Sequence, residues 1–283
     1  MQPSGAPPTP REAAPARVLA IRDGAVEERA DRLAGEEPMA IRVAGPGQEP
    51  IDVAVTMRTP GGEDELALGF LHSEGLIAPD DVVAVERGDP ASLNQPDDEV
   101  LVRLRRPFDP AVVPARHFVA TASCGICGKA SIDEVAVRSA PIPVGSVVAP
   151  EVLYGLPDAL RAAQSVFEAT GGLHASGLFD LDGRLLRLRE DVGRHNALDK
   201  LIGASLLAGE LPLHDRIVLV SGRVAFEIVQ KAATAAVPIL AAVGAPSDLA
   251  VETADRLGVT LVGFLRGRSC NVYAHPERVA VGG

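Results

Sequence analysis

Two cysteines three residues apart, in Thr121-Ala122-Ser123-Cys124-Gly125-Ile126-Cys127-Gly128-Lys129, are the residues of this chain best suited to covalent chemistry. Their two glycines permit tight backbone conformations, so both thiols can reach one ligand. Ile132, Val135 and Ala136 follow at helical spacing, which predicts a short helix beginning just after Gly128. The positive end of such a helix and the charge of Lys129 both favour the thiolate, the reactive form of cysteine. The plainer account of Lys129 is a solvated surface lysine.

Four chemistries compete for this pair. A structural zinc site needs four ligands, and the only other cysteine, Cys270, lies far along the chain and reads as a structural thiol. A zinc deaminase is suggested by His72-Ser73-Glu74, which fits H-x-E, together with C-x-x-C, but Ser123 stands where that pattern wants proline. A thioredoxin-like redox pair wants a βαβ unit around the loop, and none is legible there. A persulfide carrier needs a glycine-rich loop with one or two activated thiols, which this loop supplies. Spacing alone leaves sulfur carriage and redox exchange both open.

Further candidates cluster downstream. Arg194, His195, Asn196, Asp199 and Lys200 open a helix whose positive end suits pyrophosphate or guanine edges, although His195 by itself reads as an ordinary cap or core residue. Ser221-Gly222-Arg223 ends an apolar run; Arg223 can pair with phosphate through both guanidinium nitrogens, or with Glu227 one helical turn on. Ser247 is a ligand contact or a plain N-cap. Phe264 ends another apolar run, beside a ligand path or in the core. His174 is left without a chemical step.

The elements that must position these residues follow from periodicity. Arg17–Arg22 and Ala25–Ala30 flank Asp23-Gly24, a tight-hairpin signature. Met39–Val43 and Ile51–Met57 alternate as paired strands, Gly62–Gly75 reads as an amphipathic helix, and Val82–Glu86 and Val100–Leu104 add strands. Three prolines over Pro107–Pro114 predict a linker. Beyond it come a helix from Pro150 to about Glu168, a second hairpin around Asp182-Gly183, and a helix over His195–Leu207. Apolar runs at Ile217–Val220, Ile239–Val243 and Thr260–Phe264 then alternate with helices over Ala225–Ala236 and Asp248–Leu257. That order predicts a largely parallel sheet covered on both faces, with ligands at the carboxyl ends of its strands. The chain divides into a disordered tail over 1–16, a smaller α+β domain over 17–115, a linker with the cysteine loop over 116–139, and an α/β domain over 140–283.

Composition narrows the function classes. The 283 residues are 47% apolar and 3% aromatic with no Trp, and the formal charge is -11, so the cationic surface and stacking platform of a nucleic-acid binder are missing. No apolar run reaches bilayer length, the longest being broken at Pro238. The Pro/Ala-rich start lacks a basic region followed by an apolar one, so it does not read as a signal peptide. Three cysteines exclude a disulfide scaffold and point to a reducing, cytoplasmic compartment.

Several segments in order resemble the formate dehydrogenase accessory sulfurtransferase family, FdhD. They are Gly69-Phe70-Leu71-His72-Ser73-Glu74-Gly75, Ser123-Cys124-Gly125-Ile126-Cys127-Gly128-Lys129, Gly171-Gly172-Leu173-His174-Ala175-Ser176, Glu190-Asp191-Val192-Gly193-Arg194-His195-Asn196-Ala197-Leu198-Asp199-Lys200, Ser221-Gly222-Arg223-Val224-Ala225-Phe226-Glu227 and Gly263-Phe264-Leu265-Arg266. The resemblance implies a cysteine persulfide, loaded by a cysteine desulfurase and passed to the bis-guanine-dinucleotide molybdenum cofactor of formate dehydrogenase. It further implies a homodimer, a cytidine-deaminase-like α/β/α fold for the C-terminal domain with no deaminase activity, no metal of its own, and guanine ends of the cofactor held within the α/β part. On this reading Cys124 and Cys127 are the catalytic residues. Arg194, His195, Asn196, Asp199, Lys200, Ser221, Arg223, Ser247 and Phe264 are the candidate cofactor contacts. The alternative is a chaperone that binds the cofactor without transferring sulfur.

Overall fold

In a computed structural model of the chain, residue 9 and residues 11–88, 98–113 and 141–280 are described. The cysteine loop, Lys129, the helix expected after Gly128 and the whole 116–139 linker lie outside these residues.

The hairpin signature at Asp23-Gly24 is realised as two ten-residue strands, β1 (Ala13–Arg22) and β2 (Ala25–Ala34), in unbroken antiparallel register. Both turn residues have positive φ, 50° and 82°, the conformation that twists a two-residue loop in the same sense as its strands. β1 begins at Ala13 rather than Arg17, so residues 13–16 belong to the sheet and not to a disordered tail. Pro15 is tolerated because strict alternation from the turn points its missing N–H away from β2.

A four-stranded sheet follows, in the order β4-β3-β6-β5, from β3 (Glu37–Ala44), β4 (Ile51–Arg58), β5 (Val82–Arg87) and β6 (Glu99–Leu104). Helix α1 (Glu63–Ser73) starts after Gly62, whose φ of 70° turns the chain into it, and carries three acidic residues in its first turn, where the helix dipole favours them. Leu66, Leu68 and Leu71 bury against Met39, Ile41, Val100 and Val102. The stretch expected as a linker is anchored where it is described. Phe108 is buried, and Gln48 both accepts from its N–H (2.7 Å) and donates to its carbonyl (2.9 Å).

The second sheet has six strands, β7 (His174–Phe179), β8 (Leu185–Asp191), β9 (Ile217–Val220), β10 (Ile239–Ala242), β11 (Thr260–Arg266) and β12 (Ser269–Ala274), in the order β12-β11-β10-β9-β7-β8. It is mixed rather than mainly parallel. β9, β10 and β11 run parallel, while β7 pairs antiparallel with both β8 and β9, and β12 antiparallel with β11. The reason is local: a short connection between consecutive strands can only return antiparallel, so hairpins close both edges, while helices carry the chain between the co-directional strands, from β8 over β7 to β9 and then to β10 and β11. β12 was not expected from the sequence, although Cys270, Val272 and Ala274 alternate with Ser269, Asn271 and Tyr273 along it. The Asp182-Gly183 hairpin forms with a wider loop, in which the Asp180 carboxylate accepts from the N–H groups of Asp182 and Arg184.

Helices α2 (Pro150–Ala163), α3 (Ser165–Thr170), α4 (Arg194–Leu207), α5 (Phe226–Thr234) and α6 (Asp248–Leu257) follow; all but α3 cover this sheet, and α3 packs against the base of the β1–β2 hairpin. The single helix expected to Glu168 breaks at Gln164. Half-buried Glu190 holds α3 separately, accepting from Val166 N (3.1 Å) and Phe167 N (2.8 Å). α4 is the central helix: every residue from Asn196 to Ser205 is buried. It crosses α1 so closely that a Cβ on Gly69 would lie 1.8 Å from the Asp199 carbonyl oxygen, and one on Gly203 would lie 1.8 Å from that of Glu65. The two sheets are joined by backbone meeting backbone at this crossing.

Candidate functional site

A helix buried on all sides cannot leave its polar groups without partners, and α4 begins with five of them. Asn196 donates to Met57 O (2.7 Å) and Asp191 Oδ1 (3.1 Å). Lys200, 2% exposed, pairs with Asp191 Oδ2 at 2.7 Å and donates to Thr59 O at 2.7 Å. Asp191 also accepts from Thr59 N (3.0 Å) and Gly193 N (2.8 Å), and Val192 N donates to Thr59 Oγ1 (3.0 Å). Asp199 accepts from Ser73 Oγ (2.7 Å) and pairs with Lys231 Nζ (2.9 Å), and that lysine also meets Glu74 Oε1 (3.1 Å). Burial raises the affinity of Asp199 for its proton against the pull of Lys231, and the two carboxylates hold Lys231 protonated despite its burial. Asn196, Asp199 and Lys200, expected as cofactor contacts, are therefore spent on stitching α4 to β4, α1 and α5.

Two residues of the same segment are not so committed. Arg194 is half-buried and makes no hydrogen bond or ion pair with the described residues. His195 keeps Nε2 buried without a hydrogen-bond partner among the described residues. Burial, then the positive charges of Lys231 and Arg194, push its pKa down to about 3, with Glu74 opposing. The imidazole is neutral at neutral pH. His174, at the start of β7, is lowered in the same direction by burial and Arg194.

Three loops meet these residues at the carboxyl ends of the parallel strands. Ser221 and Ala175 exchange backbone contact, and Ser221 Oγ accepts from Ala175 N at 2.9 Å, which fixes the turn after β9 against β7. A Cβ on Gly222 would stand 3.3 Å from His174 Nδ1, so loop and imidazole are in contact. Gly244 N donates to Gly222 O (3.2 Å) and Phe264 N to Gly244 O (3.0 Å), linking the turns after β9 and β10 to the irregular end of β11, where Phe264 has a φ of 52°. A side chain on Gly244 would lie 2.8 Å from Gly222 O, so only glycine lets these backbones meet. Arg223 is exposed, and the ion pair with Glu227 considered from their spacing does not form: Glu227 Oε2 is buried without a partner among the described residues. Arg266 lies over the Phe264 ring, 5.6 Å from its centroid. Ser247 caps α6, accepting from Ala250 N at 3.2 Å.

The fold thus gathers Arg194, His195, His174, Ser221, Arg223 and Phe264 at one end of the sheet, and sets Asn196, Asp199 and Lys200 beneath it as scaffold. Guanidinium groups that pair with none of the described residues, beside glycine-bounded turns, suit an anion. Lys231, Ser73 and Asp191 were missed from the sequence; a lysine inside the apolar run Ile228-Val229-Gln230-Lys231-Ala232-Ala233 is the signal that could have flagged a buried charge and hence a buried partner. In the H-x-E pattern, Glu74 is engaged by Lys231, and the His72 imidazole is buried against the backbone of Ile77 and Thr234, which take it out of reach of a metal shared with Glu74. Among the described residues no group of three or more His, Cys, Asp or Glu side chains converges to hold a metal ion, and no helix is long and apolar enough to cross a membrane.

Residues 34–280 match the model of the FdhD/NarQ family. The chain is 48% identical over 268 residues to a protein of Nocardia farcinica named sulfur carrier protein FdhD, covering 93% of each chain. A protein of the same name from Saccharolobus solfataricus is 40% identical, covering 93% of this chain and 96% of its own. A crystal structure of a putative formate dehydrogenase accessory protein from Desulfotalea psychrophila superposes with a TM-score of 0.74 at 25% identity, over 95% of this chain and 99% of that one.

Proposed function

The chain belongs to the FdhD/NarQ family, and from that premise we propose that it is a sulfur carrier serving a formate dehydrogenase, with Cys124 and Cys127 as the carrying pair. The observation that supports this most directly is the pair itself: two thiols in Ser-Cys-Gly-Ile-Cys-Gly-Lys, within a chain whose relatives are named sulfur carriers. The donor in this reading is the persulfide of a cysteine desulfurase. One thiolate attacks its outer sulfur, forming a new persulfide on the carrier and releasing the donor's own thiolate, with no net oxidation. Attack by the second cysteine on the inner sulfur of that persulfide expels hydrosulfide and leaves a Cys124–Cys127 disulfide, which a cellular dithiol reduces. The second cysteine thereby supplies the two electrons that convert sulfane sulfur to sulfide.

The substrate that accepts the sulfur is the bis-guanine-dinucleotide molybdenum cofactor. Its diphosphates suit the guanidinium groups of Arg194 and Arg223, which have no partner among the described residues, and its guanine edges suit the buried polar atoms of His195 and Glu227. Phe264 offers a ring face beside them, while Ser221 and Ser247 act through the turns they fix. The whole reading places the protein in the cytoplasm as a homodimer and a sulfurtransferase.

Intact-mass measurement after incubation with a desulfurase and cysteine tests it. A reductant-sensitive gain of about one sulfur atom is expected on the wild type, and none on the Cys124→Ala/Cys127→Ala double variant, with the single variants identifying the loaded thiol. If the wild type gains no sulfur from an active desulfurase, while the double variant still supports formate dehydrogenase activity, the protein is a cofactor-binding chaperone instead.

A further inference from the structure

His195 is placed to carry a proton, and its surroundings refuse it one. Asp199 follows it by four residues on α4, so the two side chains lie one turn apart on the same face. A carboxylate at that spacing, with Glu74 close by at the end of α1, would ordinarily stabilise an imidazolium. Both carboxylates are instead turned to Lys231, which reaches Asp199 Oδ2 at 2.9 Å and Glu74 Oε1 at 3.1 Å. Its third N–H bond goes to Ser73 Oγ (2.8 Å), and that hydroxyl donates to Asp199 Oδ1 (2.7 Å). Lys231 is 4% exposed, so the cluster is sealed from water that would otherwise loosen it.

The other groups around His195 act in the same sense. Arg194 precedes it on α4 and His174 faces it from β7, while Asp191 on β8 is bonded to Lys200 and Asn196. Glu227, one turn before Lys231 on α5, makes no hydrogen bond with it. Lying in the first turn of α4, His195 also meets the positive end of that helix, which disfavours a charged imidazole. We propose that Lys231 is a positioning residue of the anion site: by occupying Asp199 and Glu74 it denies them to His195, which therefore meets an anionic ligand as a neutral imidazole.

The protonation state decides how a ligand is held. An imidazolium offers two N–H donors, a neutral imidazole one donor and one bare nitrogen. A cationic His195 would attract phosphate, but an anion would then bind with uptake of a proton and its affinity would follow pH. With Lys231 in place, the charge presented to a diphosphate belongs to Arg194 and Arg223, which stay protonated at any physiological pH. His195 Nε2 is left to hydrogen-bond a base edge. The low pKa of His195, in which Lys231 is the largest cause after burial, agrees with this division of labour. The role rests on the nucleotide site proposed above and is independent of the sulfur chemistry.

Two measurements on the full-length protein test it: histidine-selective NMR titration, and calorimetry of GDP-mannose binding in buffers of different ionisation enthalpy. GDP-mannose is the probe because its diphosphate is esterified at both ends and does not itself titrate near neutrality. In the wild type the His195 ring, assigned through His195→Gln, should remain neutral down to about pH 5, and binding at about pH 6.5 should take up no proton. Lys231→Met should move the midpoint toward the 6.5 of an ordinary imidazole. GDP-mannose should then bind with proton uptake and more tightly as pH falls. Lys231→Arg, which keeps a cation between the two carboxylates, should match the wild type in both measurements. If Lys231→Met does not fold, Lys231→Met/Asp199→Asn releases Glu74 from the lysine without stranding a buried aspartate and carries the same expectation. A wild-type His195 that titrates in the ordinary range, or a folded variant lacking Lys231 with wild-type titration and proton uptake, overturns the proposal. Titrations as expected with no binding of GDP-mannose support the hold of Lys231 on His195 and overturn the nucleotide site alone, since the NMR arm needs no ligand.

Discussion

His195 enters α4 beside two charges of one sign. Lys231 and Arg194 add to burial in depressing its pKa, while Glu74 opposes them and His174 faces it as a second lowered imidazole. A folded-state pKa of about 3 against 6.5 for the free side chain means that the unfolded chain takes up the proton first as pH falls. The stability associated with neutral His195 is therefore complete above pH 6.5 and is lost progressively below it, toward about 3, by roughly 1 kcal/mol per pH unit at its steepest. His72 and His174 contribute in the same sense. His195→Gln, which cannot titrate, should show a shallower fall of Tm between pH 7 and pH 5 than the wild type; parallel curves would mean that this imidazole is solvated in the folded protein. The role of His195 was legible only as a choice between cap, core and ligand, because nothing in the sequence announces that Lys231, thirty-six positions away (231 − 195), folds against it.

Helix α1 meets α4 through glycines, and the same substitution has opposite consequences in different helices. Gly69→Ala or Gly203→Ala drives a methyl group into a facing carbonyl 1.8 Å away. Backbone on both sides leaves no flexible side chain to yield, so a loss of about 3 kcal/mol is expected, seen as a fall of roughly 5–10 °C in Tm. Gly155 lies in the exposed face of α2 with nothing within 4 Å of an added Cβ, so Gly155→Ala should raise stability by about 0.5–1 kcal/mol. Equal Tm shifts at the two sites would contradict the crossing. Periodicity located α1 and α4 within a residue or two, since each buries a leucine stripe. It could not foresee their contact, because a glycine in a helical pattern reads the same whether it faces solvent or another backbone.

Across the whole molecule, a net charge of -11 opposes the approach of any polyphosphate, so the local pair of cations Arg194 and Arg223 must overcome the long-range field. Arg194→Ala and Arg223→Ala should each weaken guanosine diphosphate binding about tenfold at low ionic strength, a charge-assisted contact apiece. The difference should shrink as salt screens the exposed guanidinium of Arg223 more than the half-buried Arg194. Calorimetric titration at two salt concentrations checks both; unchanged affinity in both variants would move the nucleotide away from the ends of β9 and β10.

Much of this protein was written in the sequence by itself. The Asp23-Gly24 hairpin, the strand pair at β3 and β4, the alternation of β9, β10 and β11 with helices, and the ordered motifs of the family all depend on neighbours in the chain or on short periodic patterns, which a sequence displays directly. The tertiary structure decided which motif residues are scaffold. Asp199 and Lys200 look as available in sequence as Arg194, yet burial of α4 on every side obliges them to find partners, whereas Arg194 at the helix mouth is spared. It also decided the mixed direction of the sheet, because hairpin edges and parallel crossovers share the same apolar strands and differ only in where the chain returns.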